Sequence, residues 1–119
     1  MLVKRMIPDF KYENENGSLV QLVHEGWNQV NVLYSQKGST RGGHYHKEND
    51  EAFYIISGEI KLILETENEH EETQFTAGDM FTILPYQKHS FEFISDTLMV
   101  SMYNKGVEYS DGSKDIYTE

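Results

Sequence analysis

The chain has 119 residues, no cysteine and a formal net charge of −10, with a sequence pI of about 4.8. That length is one domain, 1–119, with room for a modest core. The missing cysteines exclude disulfides, thiolate nucleophiles and sulfur-ligated metals, and the acidic balance disfavours nucleic acid or an anionic membrane as partner. No apolar run approaches membrane length, and Met1-Leu2-Val3-Lys4-Arg5 lacks the apolar core of a signal peptide, so a cytoplasmic protein is expected.

No helix of useful length is predicted. Short apolar runs separated by turn residues predict about eight strands: 19–23, 29–35, 43–46, 52–56, 60–65, 80–84, 90–94 and 98–103. In 29–35, Gln29, Asn31 and Ser35 share one face with Leu33, while Val30, Val32 and Tyr34 share the other. If the amides face a ligand cavity, the apolar face needs a cover. Residues 1–10, from this chain or from a second copy, are the candidate cover, which points to a homodimer. An ordinary strand with its polar side in water gives the same pattern.

Ser57-Gly58-Glu59 reads as a tight hairpin, because glycine reaches positive φ without steric cost. Residues 65–72, Glu-Thr-Glu-Asn-Glu-His-Glu-Glu, read as a solvated hairpin tip in which His70 is exposed and carries no function. Ala77-Gly78-Asp79 is a further turn. The tail, 107–119, is polar, with a turn at Asp111-Gly112. About eight strands in so short a chain predict an all-β jelly roll or small barrel.

The chemistry concentrates in four residues. His44 and His46 occupy alternate positions, and side chains at i and i+2 of a strand point to one face. Glu51 follows, and His89 lies beyond the Gly78-Asp79 turn. Three imidazoles and a carboxylate suit a divalent transition metal: zinc, iron, nickel or manganese.

The spacing carries a resemblance. Gly38, five residues, His44-x-His46, four residues, Glu51, six residues and Gly58 is similar to the complete first motif of the cupins. Gly78 and His89, with ten residues between them, are similar to the second. Pro85 is kept there, but Leu84 and Tyr86 stand where that motif prefers Pro and Gly, and Phe93 stands where Asn is common. The resemblance covers roughly 29–103. It implies a double-stranded β-helix, the cupin jelly roll, with a metal on His44, His46, Glu51 and His89.

A narrower resemblance concerns activity. Trp27-Asn28-Gln29-Val30-Asn31-Val32 and Lys37-Gly38-Ser39-Thr40-Arg41-Gly42-Gly43-His44-Tyr45 resemble the sugar-nucleotide cupins. These include dTDP-sugar 3,5-epimerases, 3,4-ketoisomerases and the C-terminal cupin of a capsule-synthesis reductase-epimerase. By that resemblance Arg41 meets a nucleotide phosphate, while Gln29 and Asn31 line the sugar pocket. Arginine's planar fork suits phosphate, and amides pair with hydroxyls.

The 3,5-epimerases carry glutamine at the position of His46 and bind no metal. They also place a lysine where Tyr54 stands. The capsule enzyme's cupin has His-Tyr-His with a following Glu, binds zinc and acts on a UDP-linked sugar. Tyr103 and Tyr109 are candidate acids, and packing explains such tyrosines equally. The expected function is therefore that of a metal-binding epimerase or isomerase of a nucleotide-linked sugar in polysaccharide metabolism. The alternatives are a metal-dependent dioxygenase and a non-catalytic small-ligand-binding cupin.

Overall fold

The computed structural model describes residues 1–119. Eleven strands build it: β1 (Lys4–Met6), β2 (Phe10–Asn14), β3 (Gly17–Gln21), β4 (Gln29–Ser35), β5 (Thr40–His44), β6 (Glu51–Ser57), β7 (Glu59–Glu65), β8 (His70–Thr76), β9 (Met80–Ile83), β10 (Lys88–Phe93) and β11 (Thr97–Tyr103). A five-stranded sheet runs β1-β9-β6-β11-β4, and a four-stranded sheet runs β5-β10-β7-β8. Every pairing is antiparallel. The hairpin β2-β3 stands apart as a two-stranded ribbon.

Alternation explains the four-stranded sheet. In β7, Ile60, Leu62 and Leu64 point inward and are buried, while in β10 His89, Phe91 and Phe93 do the same. They meet Phe53, Ile55, Phe81, Ile83 and Met99 of the other sheet in one core cluster. Phe75 of β8 stacks on Phe81 with ring centroids 4.1 Å apart, and Phe53 lies 5.3 Å from Phe81. Truncating a phenylalanine buried in such a core to alanine typically costs about 3–5 kcal/mol.

β6, β9 and β11 are buried on both faces. Their outer face carries Ala52, Met80, Val100 and Met102, packed under Met6, Leu22, Val23, Trp27 and Tyr54. That cover stops short of β4, where Val30, Val32 and Tyr34 remain 60%, 69% and 55% exposed. The expected cover from residues 1–10 of the same chain does not form. β1 pairs with β9 at the opposite edge of the sheet from β4, with Lys4 opposite Thr82 and Met6 opposite Met80.

Three further expectations are corrected. The strand expected at 43–46 is β5, which ends at His44; Tyr45 makes an isolated bridge to Tyr117, and His46 lies beyond it. The acidic loop is shorter than expected, because β8 begins at His70 and pairs with β7 through seven residues. His70 is exposed as expected, and its Nε2 lies 2.9 Å from Glu72. The strand expected at 19–23 begins earlier, at Gly17, to pair with β2.

One glycine fixes local geometry beside the site. Gly42 has φ +100°, and a Cβ there would sit 2.6 Å from the His89 carbonyl oxygen. Only glycine lets β5 approach β10 this closely at the register shift between His89 and Ser90.

Candidate metal centre

Three different strand ends bring the four donors together. His44 closes β5, Glu51 opens β6 and His89 is the second residue of β10, directly opposite His44 in the ladder. His46 arrives from the link that follows β5. One ligand atom from each of His44, His46, Glu51 and His89 lies within 4.8 Å of all the others. His46, Glu51 and His89 are 2%, 4% and 1% exposed, and His44 is the half-buried member.

Hydrogen bonds orient the rings. His46 Nδ1 donates to the Asp115 carbonyl oxygen at 2.6 Å, which turns Nε2 toward Glu51 Oε1 at 3.0 Å. His89 Nδ1 donates to the Gln87 carbonyl oxygen at 3.3 Å, and its Nε2 lies 3.4 Å from the same Glu51 oxygen. A backbone acceptor on one ring nitrogen, with the other aimed inward, is the usual support of a metal-ligating histidine.

The charges separate accordingly. Burial pushes Glu51 upward, but hydrogen bonds from His46 and His89 outweigh it and hold the carboxyl at about 2. Burial and repulsion from His89 and His46 lower His44 to about 4, so its ring is neutral at pH 7. Burial also disfavours the His46 cation, but the acceptors Glu51 and Asp115 dominate and raise its pKa. An ionised carboxylate and a neutral imidazole are the forms that ligate metal.

The donor set fits a divalent transition ion. Bonds of about 2.1 Å place tetrahedral ligand atoms roughly 3.4 Å apart. The four ligand atoms lie within 4.8 Å of one another, with Glu51 Oε1 at 3.0 Å from His46 Nε2 and 3.4 Å from His89 Nε2. The cluster's oxygen and nitrogen donors match zinc, iron, nickel or manganese.

A cavity of about 340 Å³ opens onto the cluster, with His44, Glu51, His89, Asn31, Arg41 and Tyr103 in its wall. Asn31 and Arg41 therefore share the cavity with three of the donors. Arg41 is held by its Nε donating to Ser35 Oγ at 2.7 Å and its Nη2 to the Tyr34 carbonyl oxygen at 3.1 Å. Gln29 lies outside the wall. Its Oε1 accepts the Val107 N–H at 2.9 Å and so ties down the C-terminal tail.

Tyr103 stands edge-on to His46 at 5.1 Å, and burial followed by the Glu51 charge pushes its phenol upward. The second candidate acid, Tyr109, is not in the cavity wall and donates to Glu48 Oε2 at 2.5 Å. A larger cleft of about 650 Å³ lies outside the barrel, between 65–68 and 85–88, and touches none of the four donors.

Residues 12–117 match the model of the polysaccharide biosynthesis C-terminal domain family. The chain belongs to that family. No curated protein matches the sequence. Among solved structures, this polysaccharide biosynthesis C-terminal domain is similar to a sugar 3,4-ketoisomerase from Thermoanaerobacterium thermosaccharolyticum in complex with TDP. The TM-score is 0.80 at 17% identity, over 99% of this chain and 88% of that one. It is similar also to a TDP-fucose-3,4-ketoisomerase from Campylobacter jejuni, with a TM-score of 0.79 at 14% identity, over 100% and 90%.

The capsular polysaccharide assembling protein CapF from Staphylococcus aureus matches with a TM-score of 0.64 at 22% identity, over 91% of this chain and 31% of that one. These likenesses establish the fold expected from the motifs, the cupin jelly roll. Asn49, Tyr103 and Asp115 complete the surroundings of the site. Asn49 and Asp115 carried no signal in the sequence, because they act through partners about 66 residues apart.

Proposed function

We propose that residues 1–119 form one cupin domain that binds a divalent transition metal and acts as an epimerase or isomerase on a nucleotide-linked sugar. The observation that carries this reading is the cavity itself. Three of the four clustered metal-type donors, His44, Glu51 and His89, line it, and an arginine and an amide stand in the same wall. The family match supports polysaccharide metabolism as the setting. A related ketoisomerase variant holding TDP-4-keto-6-deoxyglucose supports the substrate class.

The chain's residues divide the work. Arg41 retains guanidinium donors beyond those given to Ser35 and Tyr34, and these meet a diphosphate at the cavity. Such a local cation is needed because a chain of net charge −10 repels the ligand as a whole. Asn31 offers its amide to sugar hydroxyls. Tyr103 stays protonated at neutral pH and is the proton donor available beside Glu51. A bound metal supplies Lewis-acid polarisation of a keto oxygen.

We also place a second copy of the chain on the bare face of β4. The hairpin β2-β3 exposes Phe10, Tyr12 and Leu19 at 52%, 55% and 53%. An isolated two-stranded hairpin is only marginally stable in water, so a homodimer that covers both surfaces stabilises it. No helix is long and apolar enough to cross a membrane, and a cytoplasmic enzyme is the setting we propose.

The test is a thermal-shift panel of dTDP- and UDP-sugars against free monosaccharides, repeated with Arg41→Ala. A nucleotide sugar is expected to raise Tm in the wild type and not in the variant. The responding sugar, incubated with enzyme in deuterated water, is expected to gain deuterium next to its ketone. Equal or absent responses across the panel, unchanged on losing Arg41, contradict the assignment.

A further inference from the structure

The tail after β11 does more than close the molecule. Asp115 is fully buried, and its carboxylate accepts three hydrogen bonds: from the N–H groups of Lys47 at 2.8 Å and Glu48 at 2.9 Å, and from Asn49 Nδ2 at 2.9 Å. Its own backbone carbonyl takes the His46 Nδ1 proton at 2.6 Å. Asn49, 1% exposed, is satisfied on every side. Its Oδ1 accepts the N–H groups of Lys105 and Gly106, and Nδ2 also donates to the Gly106 carbonyl at 3.0 Å.

Gln29 adds the bond to Val107 described above, and the Val107 carbonyl accepts the Asp115 N–H at 2.8 Å. Asn49 and Asp115 therefore act as a clasp. The link between His46 and Glu51 grips the tail, and the tail grips His46.

The geometry points to Asn49 and Asp115 as positioning residues for His46, such that docking of the tail and occupancy of the metal site are coupled. This rests on the metal reading above. Two arguments carry it. His46 lies beyond the end of β5, so the ladder that fixes His44 and His89 does not fix it, and the Asp115 carbonyl supplies the missing constraint. That carbonyl belongs to a segment outside the named strands, where the Asp115–Val107 and Tyr45–Tyr117 backbone bonds act together with the buried Asn49 and Asp115 side-chain bonds, so its position depends in part on those side chains. Thermodynamic coupling is reciprocal. A docked tail presents Nε2 to the metal, and a metal on Nε2 holds the ring, its Nδ1 proton and hence the tail.

The experiment compares wild type, Asn49→Ala, Asp115→Asn and Gln29→Ala, none of which removes a ligand. Zinc affinity is measured by chelator competition. Tryptic cleavage at Lys105 and Lys114 is followed with and without zinc, and the protonated nitrogen of His46 is identified by long-range ¹⁵N correlation in the metal-free protein.

The wild type is expected to carry its proton on Nδ1, and zinc is expected to slow tail cleavage. Asn49→Ala and Asp115→Asn are expected to weaken zinc by about 10- to 100-fold, to speed cleavage and to lose the ordered Nδ1 signal. If either variant fails to fold, Gln29→Ala decides, since it loosens the tail at Val107 without touching the link. Faster cleavage with unchanged zinc affinity in any folded variant overturns the coupling. A wild type that binds no zinc but shows the Nδ1 proton, lost in Asn49→Ala, contradicts coupling to zinc and leaves the positioning of His46 standing. Absence of the Nδ1 proton in the wild type overturns the positioning role.

Discussion

Glu51 accepts hydrogen bonds from two histidines while almost wholly buried, and this sets the acid response of the metal-free protein. Its pKa falls from 4.5 to about 2 on folding. A depressed carboxylate contributes stability that is full above its unfolded pKa and is lost as pH falls through the folded value. The window for Glu51 is therefore between about 4.5 and 2. A shift of that size corresponds to on the order of 3 kcal/mol.

His44 acts in a separate window. Its folded pKa is about 4 against 6.5 unfolded, so between those values the unfolded chain binds the proton better and stability falls with pH. His46 opposes this, because its raised pKa adds stability as pH falls through its folded and unfolded values. Chemical denaturation of metal-free protein should show a loss of stability that steepens below about pH 4.5. In Glu51→Gln that acid limb should flatten. A variant with the same acid profile as wild type contradicts this assignment.

Gly42 gives a second residue-scale prediction. Gly42→Ala puts a methyl group against the His89 carbonyl at a positive φ, a strain of about 1–3 kcal/mol before any clash. The variant is expected to melt several degrees lower and to bind metal more weakly through displaced His89. An unchanged Tm contradicts the close approach.

Among the elements, legibility followed burial. β4, β6, β7 and β11 were readable because their apolar residues alternate or cluster. β8 was hidden, since an edge strand with only Phe75 fully buried reads as His-Glu-Glu-Thr-Gln. β2 was hidden for a similar reason: Lys11, Glu13 and Asn14 mask Phe10 and Tyr12. The alternation in β4 was legible, but its cover was not, because the destination of β1 depends on a partner more than 70 residues away.

That bare face yields an element-scale prediction. Light scattering at tens of micromolar should report a dimer, with an interface of at least about 1,000 Å². Val32→Glu should shift the population to monomer, since the charge enters a surface that must desolvate. Wild type that remains monomeric contradicts the proposed homodimer.

At the scale of the whole molecule, the jelly roll was legible from turn spacing and the histidine motif, and the four donors from their sequence intervals. The reason is geometric: strand ends at a barrel mouth converge whatever the loops between them. The wall that completes the site was only partly legible. Asn31 and Arg41 reach the cavity, whereas Gln29 turns to the tail, a difference set by a contact 78 residues distant.

The central claim is that this convergence exists to hold a metal, and elemental analysis of untagged protein tests it most directly. Wild type supplemented in turn with zinc, iron, nickel and manganese should retain one divalent ion per chain. His46→Ala should retain none and should melt at the temperature of metal-free wild type or below, because an ion that binds only the folded state stabilises it. A wild type that stays metal-free under all four conditions contradicts the account.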